Sequence, residues 1–600
     1  MRRKKRRFIV SWTTRDLEQF RRFAGLAARL VPLGEVLADV STLADKAFHI
    51  IPPGGSSWHE YSANWPTLHR VFPHPKLAPH LPADWVRVNR ELLLAKAAVL
   101  RGMGLGASFY GNDPHFWPES FWQEHPHLRG PRIDHPRRSR REEFSVCTDL
   151  DESREMLAWE MCELKRNVPE LEVFIFNTND AGSGLCWAVS QYAGPNGPRH
   201  CRHITAGERV RRFLETLHAG ARKGGGDVAI HIGNRAFWRN EIDDVVPRLP
   251  ENSHVTWKDP TSTTVPVTWH GQVPVRGLVN PLSIIRATER LSAPEVKTVF
   301  LHFSPPTHRG DMTLDAISKA LDVLIDCIEQ PVKGIHAQFE ELHALCVRWA
   351  GKKQAEPVFE AFYRMDEALR TKAAVAPRFR PIQAAVSMRH LTRPLVVKPE
   401  LLAPEEEAYF LPYIFNIRES EARTDYIDVH GGRLSGPADW QTESALDRAL
   451  DELRDAAALL EDAKDAPESK WLLSVATSMR IYAALVRSIR NFYFGQKIRD
   501  RHAGELSREV PAVPEKVASW EGEGAILEWN ERMRDELDNA NELLALLEER
   551  GTGQIFHAED DRHQSCFLLG PDLVGDLKKK VKIMREHWLD VERYLAPPHK

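Results

Sequence analysis

Over the first 300 or so residues of this 600-residue chain, short apolar runs alternate with longer amphipathic stretches. That alternation constrains the fold more than any other feature. Strands are expected at Phe8–Trp12, Lys46–Ile51, Gly104–Tyr110, Leu171–Phe176, Asp227–Ile232, His254–Trp257, Val265–Trp269 and Val296–Phe303. Between most of them lie segments with helical periodicity. After Phe8–Trp12, Thr14-Arg-Asp16 can cap a helix that sets Leu17, Phe20, Phe23, Ala24 and Ala27 on one face. Further helices are expected over 84–103, 151–168, 205–223, 239–247 and 281–292. Strands separated by helices imply a parallel sheet, and eight such units imply a closed (β/α)8 TIM barrel. A doubly wound sheet is the alternative. The shortest link, between the sixth and seventh strands, has no room for a helix.

Beyond about residue 310 the pattern becomes almost purely helical. Amphipathic segments run over 311–329, 336–369, 443–463, 468–499, 524–549 and 572–594, interrupted by a Pro-rich irregular stretch over 389–413. The expected organisation is a barrel over 1–310, a helical and irregular connecting region over 311–440, and an all-α C-terminal domain over 441–600 that offers a homodimer surface.

Composition enters mainly by exclusion. A formal net charge of −3 gives no reason to expect nucleic acid or an acidic membrane as partner. The basic start, Met1-Arg-Arg-Lys-Lys-Arg-Arg7, is followed by an apolar run too short for a signal sequence, and no stretch reads as a membrane span. The seven Cys form no CxxC pair. This spacing speaks against a disulfide framework and a cysteine zinc site, and favours reduced thiols in a cytoplasm. No P-loop, dinucleotide fingerprint, GxSxG or HExxH occurs. No cofactor and no metal are expected.

Reacting groups of a barrel enzyme sit at the C-terminal ends of its strands. The fourth run ends in Phe174-Ile-Phe-Asn-Thr-Asn-Asp-Ala-Gly-Ser-Gly-Leu-Cys-Trp187, where polarity arrives abruptly. Asn177, Asn179 and Asp180 stand at the expected mouth, Gly182 and Gly184 permit a sharp turn, and Trp187 adds a flat ring. A carboxylic acid beside an amide suits glycoside cleavage: the acid protonates the leaving oxygen and the amide holds a hydroxyl or acetamido group. The same pair can also cap a helix. Candidates for a second carboxylate are Asp113, Asp259 and Asp311. Tyr110, Trp257 and Trp269 can form a sugar platform, and His231, Lys258 and His270 also lie near strand ends. The histidines admit a rival class, a metal-dependent hydrolase on the same barrel.

The Asn179-Asp180 segment resembles the fourth-strand motif of glycoside hydrolase barrels. Trp117-Pro-Glu-Ser-Phe-Trp122 and His125-Pro-His-Leu-Arg-Gly130 resemble the loop after the third strand in hexosaminidase-like and α-glucuronidase-like members. The resemblance covers about residues 8–310. It implies a glycosidase acting on an O-glycosyl bond of an N-acetylated or uronic sugar, with Asp180 as general acid and Asn179 as orienting amide. A carbohydrate-binding relative without activity is the other outcome on the same fold.

Overall fold

The structure, a computed structural model, describes residues 6–45, 66–134, 142–176, 184–188, 196–233, 237, 239–265, 267, 275–303, 312–375, 388–396, 401–413, 438–502, 515–561, 564 and 568–595. Two compact units are present. The first comprises residues 1–266, 287–306 and 325–331, and the second residues 267–286, 307–324 and 332–600.

The first unit is built on eight parallel strands. They are β1 (Arg6–Ser11), β2 (Gly34–Asp39), β3 (Gly106–Gly111), β6 (Leu171–Phe176), β7 (Ala229–Ile232), β8 (Ser253–Val255), β9 (Ser262–Val265) and β10 (Thr298–His302). Two short strands, β4 (Arg129–Arg132) and β5 (Phe144–Val146), form a separate antiparallel pair in the connection after β3. The order across the large sheet is β8-β7-β6-β3-β2-β1-β10-β9, and every neighbouring pair is parallel. Its outer strands, β8 and β9, share no ladder. They are consecutive in the chain, joined by the short link over 256–261 that leaves no room for a crossover helix.

Helices separate the other strands where the periodicity places them, as α1 (Leu17–Ala27), α2 (Ala83–Gly102), α4 (Asp151–Asn167), α5 (Ala206–Lys223), α6 (Arg239–Val245) and α7 (Pro281–Glu289), and a further short helix, α3 (Glu119–Glu124), stands in the long connection after β3, where none was expected. The carboxylate of Asp16 accepts from the backbone N–H of Glu18 and Gln19 and so starts α1, as its sequence implies. Phe20, Phe23, Ala24 and Ala27 are its buried face.

Two strands differ from expectation: the seventh is Ser262–Val265, ending where Val265–Trp269 was expected to begin, and the second lies elsewhere. The second is Gly34–Asp39, and the segment 46–51 lies outside the described residues. Gly34 stands where an added Cβ would meet the Arg6 carbonyl oxygen at 2.0 Å, so β2 can pair closely with β1.

Both faces of the sheet are buried, as a parallel sheet requires. One face carries Ile9, Leu37, Val173, Ile175, Ala229 and Phe300, packed together with Tyr110. On the other face, Trp12 and Phe303 pack on Phe23 of α1 (ring centroids 5.5 and 5.9 Å away), and Phe176 packs on Phe213 of α5. At the N-terminal ends of the strands, Arg7 bonds both Glu35 (2.6 Å) and Glu172 (3.1 Å).

The second unit is helical. The segment expected as one helix over 336–369 is two, Ile335–Ala350 and Ala355–Val375, because Gly351 adopts φ +74° between them. Long helices follow at Ala438–Glu461, Ser469–His502 and Glu515–Arg550, with Leu573–Glu586 and Trp588–Leu595 at the end. Within Ser469–Gly495 lies a stretch long and apolar enough to cross a membrane, and 78% of its most apolar window is buried. That burial is what a core helix shows.

This helix also carries polar groups inward. Ser488 Oγ donates to Glu536 Oε1 (2.6 Å), Asn491 Nδ2 donates to Asp535 and Glu536 (both 2.8 Å), and Lys580 Nζ pairs with Glu536. Leaving one partner of a buried ion pair alone costs about 3–5 kcal/mol.

Phe300 is the largest member of the inward apolar layer. Phe300→Ala should lower unfolding stability by about 3–5 kcal/mol, while Val31→Ala, at an exposed position, should change it by less than about 0.5 kcal/mol. Urea titration followed by tryptophan fluorescence checks both. Equal effects would mean that the layer does not carry the sheet.

Candidate functional site at the strand C-termini

Side chains two residues apart on a strand share a face. The inward layer therefore fixes which groups come next toward the C-terminal ends. Ile9 is followed by Ser11, Leu37 by Asp39, Ala229 by His231 and Phe300 by His302. With Tyr110 they form a polar ring directly above the apolar layer. Ser11 Oγ and His302 Nδ1 are 2.8 Å apart. His231 stacks on His254 of β8 (5.1 Å, 25°) and lies edge-on to Phe300 (5.3 Å). The Nδ1 of His231 is buried and, among the described residues, has no hydrogen-bond partner.

Asp39 is the carboxyl of this ring. Its two oxygens accept from the Ser41 backbone N–H (3.1 Å) and the Ser41 hydroxyl (3.0 Å). Burial outweighs these bonds and the charge of Lys96, and raises its pKa. Burial pushes His231 down to about 3, with help from His254, and His302 down to about 4. Both imidazoles are therefore neutral at pH 7. Neutral His231 can offer an N–H or a lone pair to a hydroxylated ligand, whereas His302 already engages Ser11 through Nδ1. Tyr110 is held above its usual pKa by burial and the nearby Asp39 carboxyl, so its hydroxyl stays a donor.

Other expected site residues fall elsewhere. Asp113 is 1% exposed, below a cis bond to Pro114, and both its oxygens accept from the Leu68 N–H (3.1 and 3.2 Å). Ligand atoms of Asp113, His69 and Glu160 lie within 4.8 Å of one another, all buried. Burial drives Asp113 up to about 7 and, with the Asp113 charge, Glu160 well above the carboxylate range. Desolvation lowers the buried Arg70 to about 9. Asp113 thus belongs to the packing between the 66–74 segment and α4.

Trp187, at φ +58°, donates its indole N–H to the Pro198 carbonyl (2.9 Å) and lies under the Arg202 guanidinium. Trp257 is 42% exposed just past β8, followed by exposed Lys258. Asp259 accepts from the Thr261 N–H (2.8 Å) and hydroxyl (2.7 Å), a turn-forming role, with its other oxygen 3.6 Å from His254 Nδ1. Asn177, Asn179, Asp180, Trp269, His270 and Asp311 lie outside the described residues.

The flanks of the 177–183 segment are fixed. Phe176 is buried at the end of β6, and the chain is held again at Gly184. There φ is +75°, a Cβ would meet the Pro114 carbonyl oxygen at 1.7 Å, and Ser145 Oγ donates to the Gly184 oxygen (2.6 Å). The expected need for glycine at 184 is met by both conformation and close approach.

Sequence reasoning missed Ser11, Asp39 and His254. Asp39 was hidden by the misplaced second strand, although Val36-Leu-Ala38 ahead of a lone carboxyl has the same form as Phe174-Ile-Phe176 ahead of Asn177. A second set of potential metal ligands, Cys147, Asp149, Cys186 and Cys201, also comes together.

No protein family matches the chain, and no curated protein matches it. Among solved structures, it is similar to a catalytic module of the pneumococcal exo-β-D-N-acetylglucosaminidase StrH, at 11% identity and a TM-score of 0.31, over 60% of this chain and 91% of that one. It is also similar to the α-galactosidases of Geobacillus stearothermophilus (10% identity, TM-score 0.29, covering 55% of this chain and 42% of that one) and Lactobacillus brevis (11%, 0.29, 54% and 40%).

The Asp113 shift has a pH signature. A carboxyl raised from 3.8 to about 7 binds its proton more tightly folded than unfolded. Its contribution to stability is therefore full below about pH 4 and is lost as pH rises through about 7. Asp113→Asn keeps an acceptor for Leu68 and has no proton to lose. Relative to wild type it should gain up to about 4 kcal/mol between pH 4 and pH 8. Urea midpoints at the two pH values test this, and a difference that does not change with pH would refute the assignment.

Proposed function

We propose that this protein is a glycoside hydrolase that cleaves an O-glycosyl bond by acid catalysis at the C-terminal ends of its parallel strands. The observation that carries the reading is the polar ring above the apolar layer. It combines a buried carboxyl held toward its protonated form, two neutral imidazoles and a phenol on neighbouring strand ends. Such groups bind a neutral, hydroxyl-rich ligand without needing an opposite charge, and a carboxylic acid can protonate a leaving oxygen.

In this reading Asp180, four positions after the last residue of β6 in the sequence, is the proton donor, and Asn179 holds a hydroxyl or acetamido group. Asp39 is the second carboxyl that a two-acid mechanism needs, its raised pKa making its ionised form the stronger base toward water. His231, whose Nδ1 has no hydrogen-bond partner among the described residues, binds a sugar hydroxyl. Trp257, exposed past the end of β8, offers a flat ring at the rim. The strands close into a barrel around this polar ring, and the helical second unit is an accessory domain. An N-acetylated or uronic sugar is the substrate class we favour, from the resemblance of the Asn179-Asp180 segment.

A panel of aryl glycosides that includes N-acetylhexosaminides and glucuronides tests the proposal. Wild type should release aglycone from at least one member. Asp180→Asn and Asp39→Asn should each lower kcat by about 100-fold or more with an unchanged circular dichroism spectrum. Sugar binding without turnover would instead mark a non-catalytic carbohydrate-binding protein. Full rates in both variants would remove these carboxyls from the chemistry.

A further inference from the structure

Three cysteines far apart in the chain meet within the first unit. Cys147 directly follows β5, Cys186 lies just past Gly184, and Cys201 ends a short turn ahead of α5. All three are buried and none is in a disulfide. Their sulfur atoms and a carboxylate oxygen of Asp149 lie within 4.8 Å of one another. A tetrahedral ion with metal–sulfur bonds of about 2.3 Å spaces its ligands about 3.8 Å apart, so small adjustments suffice.

Buried thiols can simply pack as small apolar groups, and Leu150, Trp187 and Ile204 do pack around these. Three observations go beyond packing. First, Asp149 brings a carboxylate among them. Its Oδ2 accepts from Arg209 Nε (3.2 Å) and its carboxylate also meets the Cys201 thiol, while among the described residues its buried Oδ1 has no partner within ordinary hydrogen-bond geometry. A buried carboxylate with an unsatisfied oxygen is costly unless a cation satisfies it. Second, the Cys186 thiol, the Cys201 thiol and the Asp149 backbone N–H all direct hydrogen bonds at the Cys147 sulfur, so the sulfur atoms already converge on one point. Third, an outer layer is in place. Arg209, itself buried, also bonds the Cys201 carbonyl, and so fixes a ligand and the Asp149 carboxylate together.

We infer that Cys147, Cys186, Cys201 and Asp149 form a site for one zinc-class divalent cation, with Asp149 Oδ1 as the fourth ligand. The ion would bind three thiolates and one carboxylate oxygen, and the thiol protons would leave to solvent on binding. Arg209 offsets part of the resulting negative charge. The ion would tie together three segments: the β5 end, the Gly184–Ala188 stretch and the turn before α5. Its role is structural, since four protein ligands leave no open position. His200 Nε2, 3.5 Å from the Cys147 sulfur, then serves as a donor to that thiolate and not as a ligand.

The test reads metal, not turnover, and is independent of the proposed glycosidase activity. Full-length protein without a polyhistidine tag, prepared under reducing conditions with zinc supplied and then dialysed, is analysed by inductively coupled plasma mass spectrometry. About one zinc per chain is expected. Cobalt(II) should give the intense visible bands of a tetrahedral thiolate site together with sulfur-to-metal charge transfer. Both should be lost in Cys186→Ser and kept in Cys346→Ser, whose thiol lies in the second unit. Asp149→Asn should weaken cobalt binding about 10-fold or more and shift the bands, whereas His200→Ala should not. The reverse pattern would overturn the Asp149 assignment. Absence of zinc and of a cobalt spectrum in the wild type, with the thiols reduced or with two of them found disulfide-bonded, would overturn the site. That wild-type result decides even if Cys186→Ser fails to fold.

Discussion

The inward apolar layer of the parallel sheet is the constraint on which the first unit rests. Ile9, Leu37, Val173, Ile175, Ala229 and Phe300 come from five strands and pack into one cluster. Because side chains alternate strictly along a strand, burying these residues also fixes the facing of their neighbours two positions on. Ser11, Asp39, His231 and His302 must rise on the same face, one step nearer the C-terminal ends. The core therefore aims the candidate site and also dries it. The same burial that holds the strands together keeps both imidazoles neutral and the Asp39 carboxyl hard to ionise.

The connections after β3 and β6 are braced against each other and not only against the sheet. Asn196 accepts from the Arg132 N–H (2.5 Å), and its carbonyl accepts from the Trp187 N–H (2.6 Å). Ser145 bonds the Gly184 carbonyl, and Arg132 forms a two-pronged pair with the buried Asp134. The cysteine cluster lies in the middle of this bracing. A site that needs the segment after β6 in a defined place gains from such rigid flanks, since positioning is a large part of what an active site supplies.

The second unit solves a different problem. Long helices bury a continuous apolar surface, but that surface alone leaves their register weakly specified. The Ser488, Asn491, Asp535, Glu536 and Lys580 group places directional bonds inside it. Lys580 Nζ also donates to the carbonyls of His390 (2.8 Å) and Leu391 (3.0 Å), so the irregular stretch is fastened to the same point. Such a network adds little net stability compared with apolar packing, yet it penalises every misaligned arrangement.

Period and parity were legible in the chain itself. Leu171–Phe176 reads as a strand because every residue but Glu172 is apolar, and α1 reads as a helix because Phe20, Phe23, Ala24 and Ala27 fall on one side behind Asp16. The second strand escapes such a reading because Gly34–Asp39 is short and directly follows a helical turn, so its local pattern is weak. No local pattern could announce the cysteine cluster. Cys147, Cys186 and Cys201 stand 39 and 15 positions apart, and only the return of the chain across the strand ends brings their sulfur atoms together. The ionisation of Asp39, Asp113 and His231 was equally out of reach. Secondary structure follows from neighbours along the chain, whereas desolvation and ligand geometry depend on neighbours in space, and those exist only once the chain has folded.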